Sequence, residues 1–259
     1  MTQAERRLFL IKELLKEQPQ YSKMEIPPSE QEQKVLLRAL FNIRLPLPVN
    51  DEFLDVQNAY LQEETRRRGI TDFSDLIPVQ QGIYIWQGDI TTLRCNAIVN
   101  AANSQMLGCF YPNHGCIDNA IHTYAGIQLR LACADLMKRQ GCEEETGKAK
   151  ITPAFNLPCD YVIHTIGPII RGRLTNRDEK MLASCYRSCL ELAEQNKLKS
   201  IAFCCISTGE FHFPNEKAAE IAIQTLKDYK AQTHNEIEVI FNVFKDIDYK
   251  IYRELLGAN

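Results

Sequence analysis

From Gly82 onward, short runs of β-branched and aromatic residues alternate with helical patterns, and that alternation leaves few folds open. GIYIWQ, NAIVNA, DYVIHTIG, SIAFCCI and EIEVIFNVF are each bounded by turn residues, as strands are. Between them the apolar spacing predicts helices over roughly 117–139, 177–196, 214–230 and 247–256. Strands apolar along their whole length are covered on both faces, so the expected class is an α/β layer fold. Ligands of such folds bind beyond the carboxyl ends of the strands, and the loops there are where chemistry is expected.

Residues 1–80 have a different character. Leu8, Ile11, Leu14 and Leu15 follow helical spacing, as do Val35, Leu36, Ala39 and Leu40, and Phe53, Leu54, Ala59, Tyr60 and Leu61 suggest a third helix. Pro27-Pro28 and the Pro46/Pro48 pair separate these segments, because proline in a helix interior forfeits a hydrogen bond. No tight strand signal precedes Gly82. The expected organisation is a helical extension over 1–80, buttressing the sheet or docking a partner, and an α/β domain over 81–259.

A net charge of −3 and 24% charged residues argue against a nucleic-acid-binding face spread over the protein. No apolar run approaches the length of a membrane span, and the opening MTQAERRLFLIKELLKE is too charged for a secretion signal. The expected location is the cytoplasm. In that reducing compartment the ten cysteines read as core thiols, metal ligands or catalytic groups rather than disulfides.

Three motifs follow strands. Gly88-Asp89-Ile90-Thr91 offers a carboxylate that could accept from a purine amine, or merely cap a turn. Asn100-Ala101-Ala102-Asn103 sets two amides around small residues, which lets a backbone approach a hydroxylated ligand. Ser207-Thr208-Gly209-Glu210-Phe211 precedes a helix and suits a diphosphate, though an ordinary strand-to-helix turn has the same composition; without a lysine it is no triphosphate loop.

In order and spacing, GDIT, VNAAN, TGKAKITPAFNLPCDYVIHTIGP and SIAFCCISTGEF resemble the macrodomain family over about residues 80–257. The resemblance implies a three-layer sandwich, a mixed sheet between helices, with an ADP-ribose cleft at the strand ends. It further implies that Asp89 and Ile90 hold the adenine, that Ser207, Thr208, Gly209, Glu210 and Phe211 wrap the diphosphate, and that Asn103 meets the distal ribose. Phe244, near the end of the last strand, is the implied adenine-stacking residue.

One stretch departs from the common macrodomain pattern. Where ordinary hydrolytic macrodomains carry a glycine-rich run, this chain reads Gly108-Cys109-Phe110-Tyr111-Pro112-Asn113-His114-Gly115-Cys116. Alone, Cys109, His114 and Cys116 read equally as unrelated thiols and a surface histidine. Placed where the family holds the distal ribose, they read as three ligands of one Zn2+ with no obvious fourth, the open arrangement of a catalytic site. Cys116 also stands at an apparent helix start, where the dipole favours a thiolate. The sequence then resembles the zinc-containing macrodomain subgroup, which shares the helical extension and a TGEFHFP loop.

The remaining candidates divide into site and core. Asp118 occupies the place of the family's acid near the reacting carbon; it reads as a water-activating base, a partner of His114, or a first-turn helix acid. His212 replaces a glycine of the usual diphosphate loop. His122, His164, Cys185, Cys189, Cys204 and Cys205 read as core, Trp86 as strand packing, and Arg66-Arg67-Arg68 as a solvated helix end.

The resemblance implies a hydrolase, with Asn103 and Asp118 catalytic, that removes mono-ADP-ribose from an acidic side chain of a modified protein. Zinc would either orient the ribose or lower the pKa of water. Family partners implied are a sirtuin-like ADP-ribosyltransferase and a lipoyl-carrier protein akin to the glycine-cleavage H protein. A non-catalytic ADP-ribose reader and an O-acetyl-ADP-ribose deacetylase are the competing readings; a zinc nucleobase deaminase is not, because the H-x-E and P-C-x-x-C pairing is missing.

Overall fold

Three helices come first, each started by a side-chain cap that satisfies an otherwise orphaned amide. In the computed structural model, which describes residues 1–21 and 24–258, α1 spans Gln3–Lys16, α2 Glu30–Ile43 and α3 Asp51–Arg68. Thr2, Ser29 and Asn50 accept the N–H groups of Glu5, Glu32 and Phe53. Leu10, Ile11, Leu14, Leu37, Leu40, Phe53, Tyr60 and Leu61 pack into a hydrophobic cluster of their own. Ile127 joins this cluster from the rest of the chain. The extension packs chiefly on helix α4 (Ile117–Ala125) through α2 and α3, and so reaches the sheet through that helix.

Next come β1 (Thr71–Asp72), β2 (Ile83–Gln87), β3 (Leu93–Arg94) and β4 (Ala97–Ala101), then α4 and α5 (Ile127–Gln140). The chain continues with β5 (Ala149–Pro153), β6 (Tyr161–Thr165), α6 (Asn176–Gln195), β7 (Ser200–Phe203), α7 (Asn215–Thr233), β8 (Glu238–Val243) and α8 (Asp246–Leu256). Six strands form one mixed sheet in the order β2-β8-β7-β4-β6-β5, parallel except for β5, which runs against β6. Burial is nearly continuous along β4, β6, β7 and β8, because helices cover both faces. α6, α7 and α8 pack in succession, and α4 and α5 pack together.

Several boundaries differ from the sequence pattern for identifiable reasons. The helix expected over 117–139 is two, broken at Gly126, whose φ is +91°. A Cβ there would stand 2.7 Å from the Gln57 amide, so the break also lets the extension approach. β5 and the two-residue pair β1–β3 lack apolar runs and were not foreseen. Cys204 and Cys205 lie past the end of β7 rather than inside it. No helix among the described residues is long and apolar enough to cross a membrane.

Candidate functional site

The first motif leaves β2 and turns at once. Asp89 accepts the N–H and hydroxyl of Thr91 at 2.9 and 2.6 Å, capping a short 3-10 turn over Ile90–Thr92 in which Ile90 is buried. Its other oxygen accepts from Arg68 Nη1 at 2.7 Å. Arg68 is therefore not a solvated helix end as Arg66 and Arg67 are. Its guanidinium lies 3.6 Å over the Tyr124 ring and also donates to Thr91 Oγ1. Nothing near Arg68 in sequence announces Tyr124 or Asp89, so the reach of this side chain is visible only in three dimensions.

The third motif leaves β7 and is shaped by its own backbone. Thr208 N–H donates to Cys205 O, His212 N–H to Gly209 O and Phe213 N–H to Ser207 O. Ile170 N–H donates to Phe211 O, tying the loop to the segment after β6. Ser207 and His212 have φ of +66° and +57°, the left-handed region that glycine prefers. His212, standing where the resemblance expects glycine, adopts the backbone conformation that glycine would take there. Gly209 and Glu210 are exposed, and Thr208 and Phe211 half-buried, so the tip of the loop faces solvent ahead of α7. Phe244 follows β8 directly and is 77% exposed, an uncovered ring at the strand's carboxyl end.

Between these lies the loop after β4. Asn103 donates through Nδ2 to Gly108 O at 3.1 Å and accepts from Gln105 N–H, so it fixes the start of the Gly108–Cys116 loop. One ligand atom each from Cys109, His114 and Cys116 lies within 4.8 Å of the others. His114 Nδ1 is buried without a hydrogen-bond partner, and its Nε2 lies 3.7 Å from Glu210 Oε1 across the cleft. Two thiols, an orphaned imidazole nitrogen and a carboxylate on the far nitrogen are a donor set that fits zinc. Cys116 caps α4, its Sγ accepting Asn119 N–H at 3.4 Å. Burial nonetheless outweighs that amide and pushes the Cys116 thiol up, with Cys109 adding to the rise. A bound cation would reverse this, since a coordinating thiol gives up its proton.

Asp118 begins α4 beneath the loop and is 5% exposed. Asn100 Nδ2 donates to its Oδ1 at 2.8 Å, and His122 Nε2 stands 3.5 Å from the same oxygen. Burial lifts its carboxyl to about 6, opposed by Asn100 and the Arg130 charge. It is not paired with His114; that place belongs to Glu210. His164, on β6, meets Asn100 through Nδ1 and Thr152 through Nε2, and burial depresses it to about 3. His122, Cys133 and His164 also cluster, but both nitrogens of His164 are already engaged, and the group reads as a buried polar network behind Asp118.

The fold that carries this arrangement has counterparts in known proteins. The Macro domain family matches residues 99–222. A protein-ADP-ribose hydrolase from Treponema medium is 57% identical over 261 residues, covering 99% of this chain and all of that one. This chain belongs to the macrodomain family. A Trypanosoma brucei macrodomain solved with ADP-ribose aligns with TM-score 0.66 at 28% identity, covering 89% of this chain and 97% of that one. An Oceanobacillus iheyensis macrodomain solved with ADP aligns with TM-score 0.62 at 39% identity, over 70% of this chain and 94% of that one.

Within this macrodomain the extension, and one residue of α5 that grips it, supply contacts that sequence patterns passed over. Arg38 on α2 donates to His114 O at 2.9 Å and to Asn119 Oδ1 at 2.8 Å. Asn42, one turn on, accepts Asn113 N–H at 2.9 Å and donates to Thr123 Oγ1. Arg130 on α5 donates to Leu107 O and to the carbonyls of Phe41 and Arg44, with its guanidinium over the Phe110 ring. Each is one polar residue in a helix otherwise read for its apolar face, which is why periodicity did not single it out.

Proposed function

We propose that this macrodomain is a zinc-dependent protein-ADP-ribose hydrolase that frees mono-ADP-ribose from an acidic side chain. One observation carries the reading: two thiols and a buried, unpartnered imidazole nitrogen converge in the loop between Asn103 and Asp118. The hydrolase class is supported by the Treponema medium relative, which bears that activity in its name and matches this chain end to end.

Cys109, His114 and Cys116 would hold the ion. Zinc bound there supplies Lewis acidity, polarising a sugar oxygen or lowering the pKa of water toward neutrality. The chain's own groups do the rest. Backbone N–H groups of the 207–211 loop, that of Thr208 apart, receive the diphosphate at the start of α7. Asp89 and Ile90 receive the adenine, with Phe244 stacked on it. Asn103 positions the distal ribose and holds the loop through Gly108 O. Asp118, fixed through one oxygen by Asn100, is assigned the proton transfers at the reacting centre. An acyl ester to aspartate or glutamate needs less help for its leaving group than an arginine linkage, which favours acidic acceptors. A lipoyl-carrier protein modified by a sirtuin-like transferase fits as the source of such an ester, in the cytoplasm.

The test is zinc content measured beside ADP-ribose release from an aspartate-modified carrier protein, with and without a strong chelator. Near-stoichiometric zinc, with release lost on chelation and restored by zinc, is the expected result. Zinc without release from any modified protein or from O-acetyl-ADP-ribose would make the protein a reader. Full release with no zinc would overturn the metal reading.

A further inference from the structure

We propose that helix α2 of the N-terminal extension is a working part of the metal site, with Arg38 the residue that holds the Cys109–Cys116 loop in ligand-binding shape. The proposal rests on the zinc reading of that loop and goes beyond it by assigning a task to the extension.

The loop spends nine residues crossing from Gly108 to Cys116, and its own backbone contributes little. Among the described residues the one backbone hydrogen bond within it runs from His114 N–H to Tyr111 O, at 3.3 Å. Asn113 sits at φ +55°, a strained setting for a residue with a side chain. Such a loop keeps three donor atoms converged only if something outside it fixes the carbonyls and amides. The extension does so twice over. Arg38 binds the carbonyl of a ligand residue directly, at His114 O, and with the same guanidinium grips Asn119 Oδ1 through Nε at 3.2 Å and Nη2 at 2.8 Å.

Asn119 is the relay. It is fully buried, its N–H donates to Cys116 Sγ, and its side-chain amide donates to Tyr111 O at 3.0 Å. One arginine from α2 therefore touches one ligand residue through its carbonyl and a second through an asparagine that caps its sulfur. Asn42 holds the strained Asn113 between them. Arg130 closes the arrangement by joining α2's last carbonyls to Leu107 O, just before the loop begins. A polar contact that orients a ligand is worth about 10- to 100-fold in metal affinity. Arg38 and Asn42 do not touch the diphosphate loop or Phe244, so their effect is on metal retention rather than on ADP-ribose binding.

The experiment uses the full chain and two readouts. Zinc affinity is measured by competition with a chromophoric chelator for wild type, Arg38→Met, Arg38→Lys and Lys34→Met. Lys34 lies on the same helix and pairs with Glu30 and Glu64, away from the loop, so it controls for loss of charge and for general loosening of α2. Alkylation of Cys109 and Cys116 is followed peptide by peptide in the metal-free proteins, with the exposed Cys142 as internal reference. Arg38→Met is expected to weaken zinc about 10- to 100-fold and to raise the alkylation of Cys116 severalfold. Arg38→Lys should recover part of both, and Lys34→Met should match wild type. Zinc affinity within twofold of wild type in Arg38→Met, or an equal loss in Lys34→Met, would overturn the proposal. If wild type itself binds no zinc, the metal reading falls and the proposal falls with it; a raised alkylation rate would then identify Arg38 as a holder of the loop alone.

Discussion

The two loops that face each other across the cleft are built on opposite principles. The diphosphate loop, 207–213, is closed by its own backbone, with two residues in left-handed conformation and bonds spanning three to six positions. The proposed metal loop, 108–116, is held largely by side chains: Arg38 and Asn42 from a helix far away in sequence, Asn103 and Asn119 from just outside its two ends. The difference fits what each is proposed to bind. An anion cradle needs unsatisfied N–H groups, which a local turn before a helix supplies without help. A cation site needs lone pairs from three side chains at one point, and a flexible loop reaches that only when braced from outside. Glu210, at 3.7 Å from His114 Nε2, is where the two loops meet.

The comparison is tested most harshly by removing a ligand. Cys116→Ala should abolish stoichiometric zinc and cut turnover about 1,000-fold, the several kcal/mol that a Lewis-acidic ion contributes. ADP-ribose affinity, read by calorimetry, should stay within about threefold of wild type, since the diphosphate loop shapes itself. Loss of the sulfur that caps α4 should also cost about 1 kcal/mol of stability, visible as a modest drop in melting temperature. A variant that kept full turnover would remove the metal from the reaction.

Asp118→Asn comes next. The amide is nearly isosteric and can still meet Asn100 and His122, so the protein should fold normally and retain zinc. Turnover should fall by about 100-fold, at the low end for a positioned acid–base group. The split between the two variants matters: zinc lost in one and kept in the other, with both slow, separates the ion's contribution from the carboxylate's. If Asp118→Asn turned over as fast as wild type, Asp118 would be a buried first-turn acid and nothing more.

How much of this was legible in the sequence tracks the same division. The strands and most helices declared themselves through apolar periodicity, and the diphosphate loop through its small residues between a strand and a helix. The cluster proposed to hold the metal was legible because Cys109, His114 and Cys116 lie within eight consecutive residues. What holds them was not. Arg38 and Asn42 are single polar residues on an amphipathic helix more than 65 positions upstream of the residues they grip, and no local pattern distinguishes them from solvated neighbours. Arg68 misled for the same reason: a run of three arginines at a helix end is usually solvent-facing, and only folding brings Tyr124 beneath the third. β5 went unseen because AKITP has little apolar character, being an edge strand ending in proline. The fold was written locally, and the site and its bracing only half so: Asn103 and Asn119 sit beside the loop they hold, Arg38 and Asn42 far upstream of it.

Arg68 gives the extension a second point of contact with the cleft, at the Asp89 turn proposed to receive the adenine, and makes the comparison sharper. If Arg68 steadies Asp89 for adenine, Arg68→Met should raise KM about tenfold, the worth of one charge-assisted hydrogen bond, while kcat holds. Zinc content should not change, because Arg68 does not touch the metal loop. A fall in kcat with unchanged KM would instead mean that the extension acts on the cleft as one rigid body rather than at two separate points.

The smallest effect is expected at Phe244. Its ring is 77% exposed just beyond β8, where nothing in the fold requires an aromatic residue. Stacking on a base is worth about 1–3 kcal/mol, and so open a ring should sit at the low end, near fivefold in affinity. Phe244→Ala should therefore weaken ADP-ribose binding about fivefold with no change in melting temperature or zinc content, and Phe244→Tyr should restore it. The same variant should bind ribose 5-phosphate, which lacks the base, as wild type does. If Phe244→Ala weakened both ligands equally, the ring would be steadying the cleft as a whole. The adenine end would then belong with the metal loop, as a site held from outside, rather than with the diphosphate loop that holds itself.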